Sequence, residues 1–211
     1  MIIAERFLWL HLPKTGGTSM NRLFRTWAFP GISIDPDGDR AKHDSIALRE
    51  AGEDWRAGSR RRFITIRRLD SWLLSDWQHK RRHLSLPDLA FEPVQQGLFY
   101  SLRLGGVWVA ADWWLRYFEL DEHVTSLRLE HIADDLNRHL LPLLPAGTRR
   151  LQPETLPQEN AAPPSGATTS SQLEPISTAG LYAVNPLWAA WEQRVYGTRP
   201  ASSTLLRQAS P

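Results

Sequence analysis

The stretch Pro13-Lys14-Thr15-Gly16-Gly17-Thr18-Ser19 brings together residue types that can hold an anion. Two adjacent glycines let the backbone approach an oxyanion closely. Hydroxyls at a helix start add donors, and a lysine beside them adds a mobile cation. Backbone N–H groups at a strand-to-helix turn form an anion nest, favoured further by the helix dipole. The chemistry is that of a phosphate or sulfate cradle; the bland alternative is a Gly-rich turn with a solvated lysine. The order of residues sets it apart from a Walker A loop. That pattern, G-x-x-x-x-G-K-[ST], places lysine after the last glycine. Here Lys14 precedes both glycines, and the Walker pattern occurs nowhere in the chain.

The stretch His11-Leu12-Pro13-Lys14-Thr15-Gly16-Gly17-Thr18-Ser19 resembles the donor loop of PAPS-dependent sulfotransferases, most closely their carbohydrate-type branch. The resemblance implies that the backbone of Thr15, Gly16, Gly17, Thr18 and Ser19, with the Thr18 and Ser19 hydroxyls, holds the 5′-phosphate of 3′-phosphoadenylyl sulfate (PAPS). It implies that Lys14 sits on the bridging oxygen and stabilises the leaving charge. The family holds the 3′-phosphate with an Arg at a strand end and a Ser eight residues later, and Arg67 and Ser75 fit that spacing in Arg67-Arg68-Leu69-Asp70-Ser71-Trp72-Leu73-Leu74-Ser75. A guanidinium offers forked donors suited to phosphate. Arg68 is the second candidate, and both arginines could instead be surface cations. The chain departs from the family at Leu69, where proline is usual. Ser126-Leu127-Arg128-Leu129-Glu130-His131-Ile132 resembles a further strand end of the family, with Glu130 as a scaffold or cation-orienting carboxylate.

Proton removal from a hydroxyl suits a histidine, and seven are present. Related enzymes place a substrate-side His or Glu between the first βα unit and the third strand, which points to His43; its alternative is a surface residue near a helix cap. His11 lies on a strand and is expected to pack. His79 and His83 flank Lys80-Arg81-Arg82, a cluster that is either a solvated face or a contact for an anionic acceptor. Trp108, Trp113 and Trp114 could stack on an acceptor, although Trp114 shares its spacing with Val107 and Phe118 and reads as core.

The elements that must position these residues follow from periodicity. Phe7-Leu8-Trp9-Leu10-His11-Leu12 reads as a buried strand, and Met20, Leu23, Phe24, Trp27 and Ala28 as one face of a helix. Strands are expected at 31–34, 62–67 and 124–129. Helices are expected at 43–55, from Leu69 through Trp77, weakly over 88–100, from Val107 to Phe118, from Ile132 to Leu143, and through Trp188, Trp191 and Val195. Alternation of strands and helices predicts a single α/β domain spanning 1–211, with a mostly parallel central sheet flanked by helices. The resemblance specifies a P-loop NTPase-like sulfotransferase fold. Residues 152–180 are rich in Pro, Ser, Thr, Gln and Ala and predict a flexible loop.

Composition narrows the classes. Twenty-five basic and 23 acidic side chains leave a formal charge of +2, too balanced to argue for a nucleic-acid partner. The absence of cysteine excludes disulfides and thiolate metal sites. No apolar run reaches the roughly 20 residues of a membrane span, and no leader pattern opens the chain; a cytoplasmic protein without membrane contact is expected. The function predicted is sulfuryl transfer from PAPS, leaving PAP, to a glycan or small-molecule hydroxyl without a metal. An ATP-dependent kinase and a non-catalytic anion-binding module are the alternatives.

Overall fold

The computed structural model describes residues 1–156 and 178–197. In chain order its first half holds β1 (Ile2–Ile3), β2 (Phe7–Leu10), α1 (Gly17–Trp27), β3 (Ser33–Ile34), α2 (Ile46–Gly52), β4 (Arg61–Ile66) and α3 (Leu69–His83). Then follow α4 (Glu92–Gln95), β5 (Leu98–Ser101), β6 (Val107–Ala110), α5 (Asp112–Tyr117), β7 (Val124–Arg128), α6 (Ile132–Asp135), α7 (Thr178–Val184) and α8 (Pro186–Tyr196). The result is a single-domain α/β protein with a mixed central sheet between helices.

Five strands run in the order β3-β1-β2-β4-β7. β2, β4 and β7 are parallel, whereas β1 pairs antiparallel with both β2 and β3. The expectation of a mostly parallel sheet therefore holds for the half that carries the loop and gives way at the other edge. There the chain is too short between Ile3 and Phe7 for a crossover, so it turns straight back.

The central strands are buried on both faces, which is why Phe7-Leu8-Trp9-Leu10 shows no polar alternation. Successive side chains point to opposite sides. Phe7, Trp9 and Phe63 meet Met20, Leu23 and Phe24 of α1 and Leu136 and Leu140 beyond α6. Leu8, Leu10, Ile64 and Ile66 meet Trp72, Leu73 and Trp77 of α3 and Trp188 and Trp191 of α8. Trp114 is 6% exposed and belongs to this second core, as its spacing suggested.

Three expected helices are corrected. Residues 88–100 form only the short α4 before β5, and Val107–Ala110 is strand β6, pairing antiparallel with β5. Gly105 and Gly106, both at φ 84°, close this hairpin in a conformation glycine adopts without strain. The helix begins only at Asp112, because the apolar spacing from Val107 to Phe118 crosses a strand-to-helix boundary. The single helix expected from Ile132 to Leu143 is instead a chain of short turns: α6, a wider turn over Leu136–Leu140 and a tight turn over Leu141–Leu143, where Pro142 lacks a donor. Most of the expected loop at 152–180 lies outside the described residues; a tight turn at Pro153–Thr155 marks one end and α7 the other. Among the described residues, no helix is long and apolar enough to cross a membrane.

Candidate functional site

Parallel register brings three segments to one edge. Leu10 lies beside Ile64, and Ile66 beside Arg128. The chain leaving β2 toward Lys14, the chain leaving β4 at Arg67 and the chain leaving β7 toward Glu130 therefore emerge together at the carboxyl ends of the strands. Open α/β sheets bind ligands at this edge.

The loop after β2 is fixed from beneath. The Trp72 indole on α3 donates to the Pro13 carbonyl at 2.7 Å, and the Thr15 hydroxyl donates to the Leu12 carbonyl at 2.8 Å. Thr15 is thus buried, with its side chain turned inward. Lys14 (φ 63°) and Gly16 (φ 82°) are left-handed, so the chain bends twice in three residues. A side chain at Gly16 would meet Leu129 at 2.8 Å, and one at Gly17 would fall 1.5 Å from the Nε2 of His11. Helix α1 then begins, Met20 N–H donating to the Gly16 carbonyl at 3.0 Å. Its first turn holds no acidic residue and no side-chain cap. The N–H groups of Gly16, Gly17 and Thr18 have no partner among the described residues. Thr18 and Ser19 lie half-buried on the first turn.

Lysine is scarce in this chain, and that scarcity is informative. It occurs three times, as Lys14, Lys42 and Lys80, and the charges of Lys42 and Lys80 both act on Lys14. Burial pulls the Lys14 ammonium below the ordinary lysine range; Asp76 opposes this, while Arg67, Lys80 and Lys42 reinforce it. The chain otherwise uses arginine for its positive charge, reserving the compact, tunable ammonium for this cluster. His79 belongs to the same surroundings: burial first, then Lys14 and His83, push its pKa down to about 4.

Arg67 is half-buried at the end of β4 and makes no side-chain hydrogen bond among the described residues. Burial lowers its pKa, and Glu130, Tyr196 and Asp70 oppose that shift. Arg68 is committed elsewhere. It donates to Glu192 at 3.0 Å and lies 4.5 Å over the Tyr196 ring. Glu192 also accepts from the Leu69 N–H at 3.0 Å and the Tyr182 hydroxyl at 2.9 Å. The α8 helix thereby caps α3 and leaves Arg67, rather than Arg68, available to an incoming anion. Glu130 accepts from the Tyr196 hydroxyl at 2.5 Å and carries its charge toward Arg67, which agrees with a cation-orienting carboxylate. Ser75 lies half-buried in the second turn of α3, its hydroxyl unpartnered among the described residues.

His43 closes the short turn before α2. Its Nδ1 lies 2.8 Å from the His11 carbonyl, and the two rings meet edge to face at 4.8 Å. A carbonyl only accepts, so Nδ1 carries the hydrogen and Nε2 presents its lone pair. Burial pushes the His43 pKa down to about 4, with Lys42 and Arg103 adding to it. The neighbouring Asp44 pairs with Arg103 from the hairpin tip, whose guanidinium stacks on Tyr117 at 4.9 Å. His11 is buried and held neutral, packed as expected.

Sequence reasoning singled out the loop, Arg67, Ser75 and His43 and did not link Asp76, Lys42 or the Lys80 ammonium to Lys14. The count of three lysines was the available signal. Glu192 and Tyr196 carried none, because their partners are far away in the chain. The chain matches no protein-family model, no curated protein and no solved structure.

Proposed function

We propose that this protein transfers a sulfuryl group from PAPS to a hydroxyl of a carbohydrate or small-molecule acceptor. The single observation behind this reading is the pairing of unspent donors at one sheet edge. Among the described residues, the amides of Gly16, Gly17 and Thr18 have no partner and lie with the Lys14 ammonium after β2, and Arg67, whose guanidinium makes no hydrogen bond, lies after the adjacent β4. Donors without a protein partner at a helix start, beside cations, are ready to take an anion. Two anion sites on neighbouring strands suit a nucleotide with phosphates at both its 5′ and 3′ positions.

In this reading the P-loop-like nest holds the 5′-phosphate, and Arg67 with Ser75 holds the 3′-phosphate. The donor supplies an activated sulfonate. As the acceptor oxygen forms its bond to sulfur and the bridging S–O bond breaks, Lys14 stabilises the charge left on the phosphate, leaving PAP. His43 accepts the acceptor proton at Nε2. The nearby nucleotide charge raises the basicity of His43 relative to the ligand-free protein, where its pKa is about 4. Most of the rate enhancement comes from positioning and electrostatics, as in phosphoryl transfer.

The test is incubation with PAPS and a panel of hydroxyl acceptors, following PAP release and product mass. PAP release matched by gain of one sulfonate on an acceptor supports the proposal. Transfer from ATP with Mg²⁺ would identify a kinase instead. PAP binding without transfer to any acceptor would identify a binding module.

A further inference from the structure

The hairpin of β5 and β6 turns one face to the core and keeps an aromatic pair on the other. Tyr100 stands directly opposite Trp108, their rings edge to face with centroids 5.3 Å apart. Leu98 and Ala110 are the next opposed pair on that side, so the outer face carries no charge where antiparallel sheets usually turn polar residues to water. Phe99, on the other side, is buried with its ring 5.4 Å from that of Trp72. The segment after α3 supplies a second wall. Arg81 Nε donates to the Pro87 carbonyl at 2.6 Å and the Trp77 indole to the Leu89 carbonyl at 2.9 Å, which pins this wall to the end of α3. Ser85, Leu86, Pro87 and Asp88 line, with Tyr100 and Trp108, a cleft of about 340 Å³, a volume typical of small-ligand pockets.

The polar groups on this cleft are unspent. Among the described residues, the Asp88 carboxylate, the Ser85 and Tyr100 hydroxyls and the Trp108 indole N–H make no hydrogen bond, and Asp88 makes no ion pair. We propose that this cleft binds one ring of a neutral glycan, with the ring's C–H face against Tyr100 and Trp108 and its hydroxyls donating to Asp88. A pyranose combines an apolar face with a rim of hydroxyls, and these walls match both. Aromatic side chains with a polar tip suit a surface that is apolar at one end and wet at the other. An ionised carboxylate only accepts, and its two oxygens can take two neighbouring hydroxyls at once. The same carboxylate repels a sulfated, phosphorylated or uronic acid group, so the ring held is uncharged. An organic cation also favours aromatic faces, but Arg81 already brings positive charge to the cleft wall. That the glycan is the acceptor rests on the sulfotransferase reading above. The cleft opens past the end of α3, about 12 Å along the helix from Ser75, so the ring held there is a distal unit and not the one that reacts.

The test titrates the folded full chain with cellotriose, chitotriose and maltotriose and follows the indole N–H resonances by NMR. The Trp108 resonance is the one lost in Trp108→Phe. At least one trisaccharide should move it saturably. Asp88→Asn should weaken that binding about fivefold or more, as expected for losing a hydrogen bond to a charged group. Asp88 is exposed and engages no other described residue, so this substitution leaves the fold intact. No movement with any of the three sugars overturns the proposal, as does movement that Asp88→Asn leaves unchanged. Movement with tetramethylammonium and with none of the sugars would mark a cation site and overturn it too. A parallel arm adds PAP. A sugar that binds at Trp108 in a protein that ignores PAP keeps the glycan cleft and removes the sulfotransferase reading. Sulfonate transfer to a sugar that leaves the Trp108 resonance unmoved does the reverse.

Discussion

The imidazole of His11 occupies the place where a side chain at Gly17 would stand: a Cβ there would lie 1.5 Å from its Nε2. The glycine thus serves a close approach between the end of β2 and the first residue of α1. Gly17→Ala should destabilise the protein by about 1–3 kcal/mol, the usual range for overpacking. Pairing it with His11→Ala should recover part of that loss, because the clash partner is gone. Urea unfolding of the two single variants and the double variant measures the coupling; strictly additive effects would mean the two residues do not meet.

Lys14→Ala should lower turnover by about 10²–10³-fold, the scale for removing one group that stabilises developing charge. Its unfolding midpoint should stay close to wild type, since the side chain is half-buried and lies on the loop rather than in the core. Steady-state kinetics beside thermal unfolding separates the two effects. Unchanged turnover would remove Lys14 from the chemistry.

Arg67→Ala should weaken PAP by roughly tenfold or more, as expected for losing a charged hydrogen bond. An analogue without the 3′-phosphate should bind the variant and the wild type alike. Arg68→Ala should behave differently, releasing Glu192 and Tyr196 and costing stability rather than selectivity for the 3′-phosphate. Competition binding with the two nucleotides distinguishes these outcomes.

Acidification should destabilise the protein between about pH 6.5 and pH 4. The pKa values of His43 and His79 lie near 4 in the folded chain, and burial holds His11 down as well. The unfolded chain takes up protons at the ordinary histidine value near 6.5. Unfolded molecules therefore bind more protons across this window, and stability falls as pH falls. Denaturant midpoints measured from pH 7 to pH 4 should decline. His43→Gln should flatten part of that slope, and an unchanged slope would show that His43 is not buried in its neutral form.

Leu69, where the sulfotransferases that the loop resembles usually carry proline, donates its N–H to Glu192 at 3.0 Å. Proline has no such hydrogen, so the departure and the α8 contact belong together. This relationship was not legible in the sequence, because Glu192 lies 123 residues from Leu69. The loop, β2, β4 and β7 were legible, since buried parallel strands write themselves as apolar or β-branched runs. The β5–β6 hairpin was not. Val107, Ala110, Ala111 and Trp114 fall at helical spacing by coincidence across a boundary at Ala111, and short runs do not distinguish the two periods. Arg67 and Ser75 were singled out by spacing; that Glu192 engages Arg68 and not Arg67 was not legible in the sequence.

Calorimetric titration of the folded protein with PAP, at low salt and without metal, tests the central claim most directly. The account predicts saturable binding that weakens as salt screens the lysine cluster and weakens again when the 3′-phosphate is removed. No heat across several buffers, or equal binding of PAP and its 3′-dephosphorylated analogue, would contradict it.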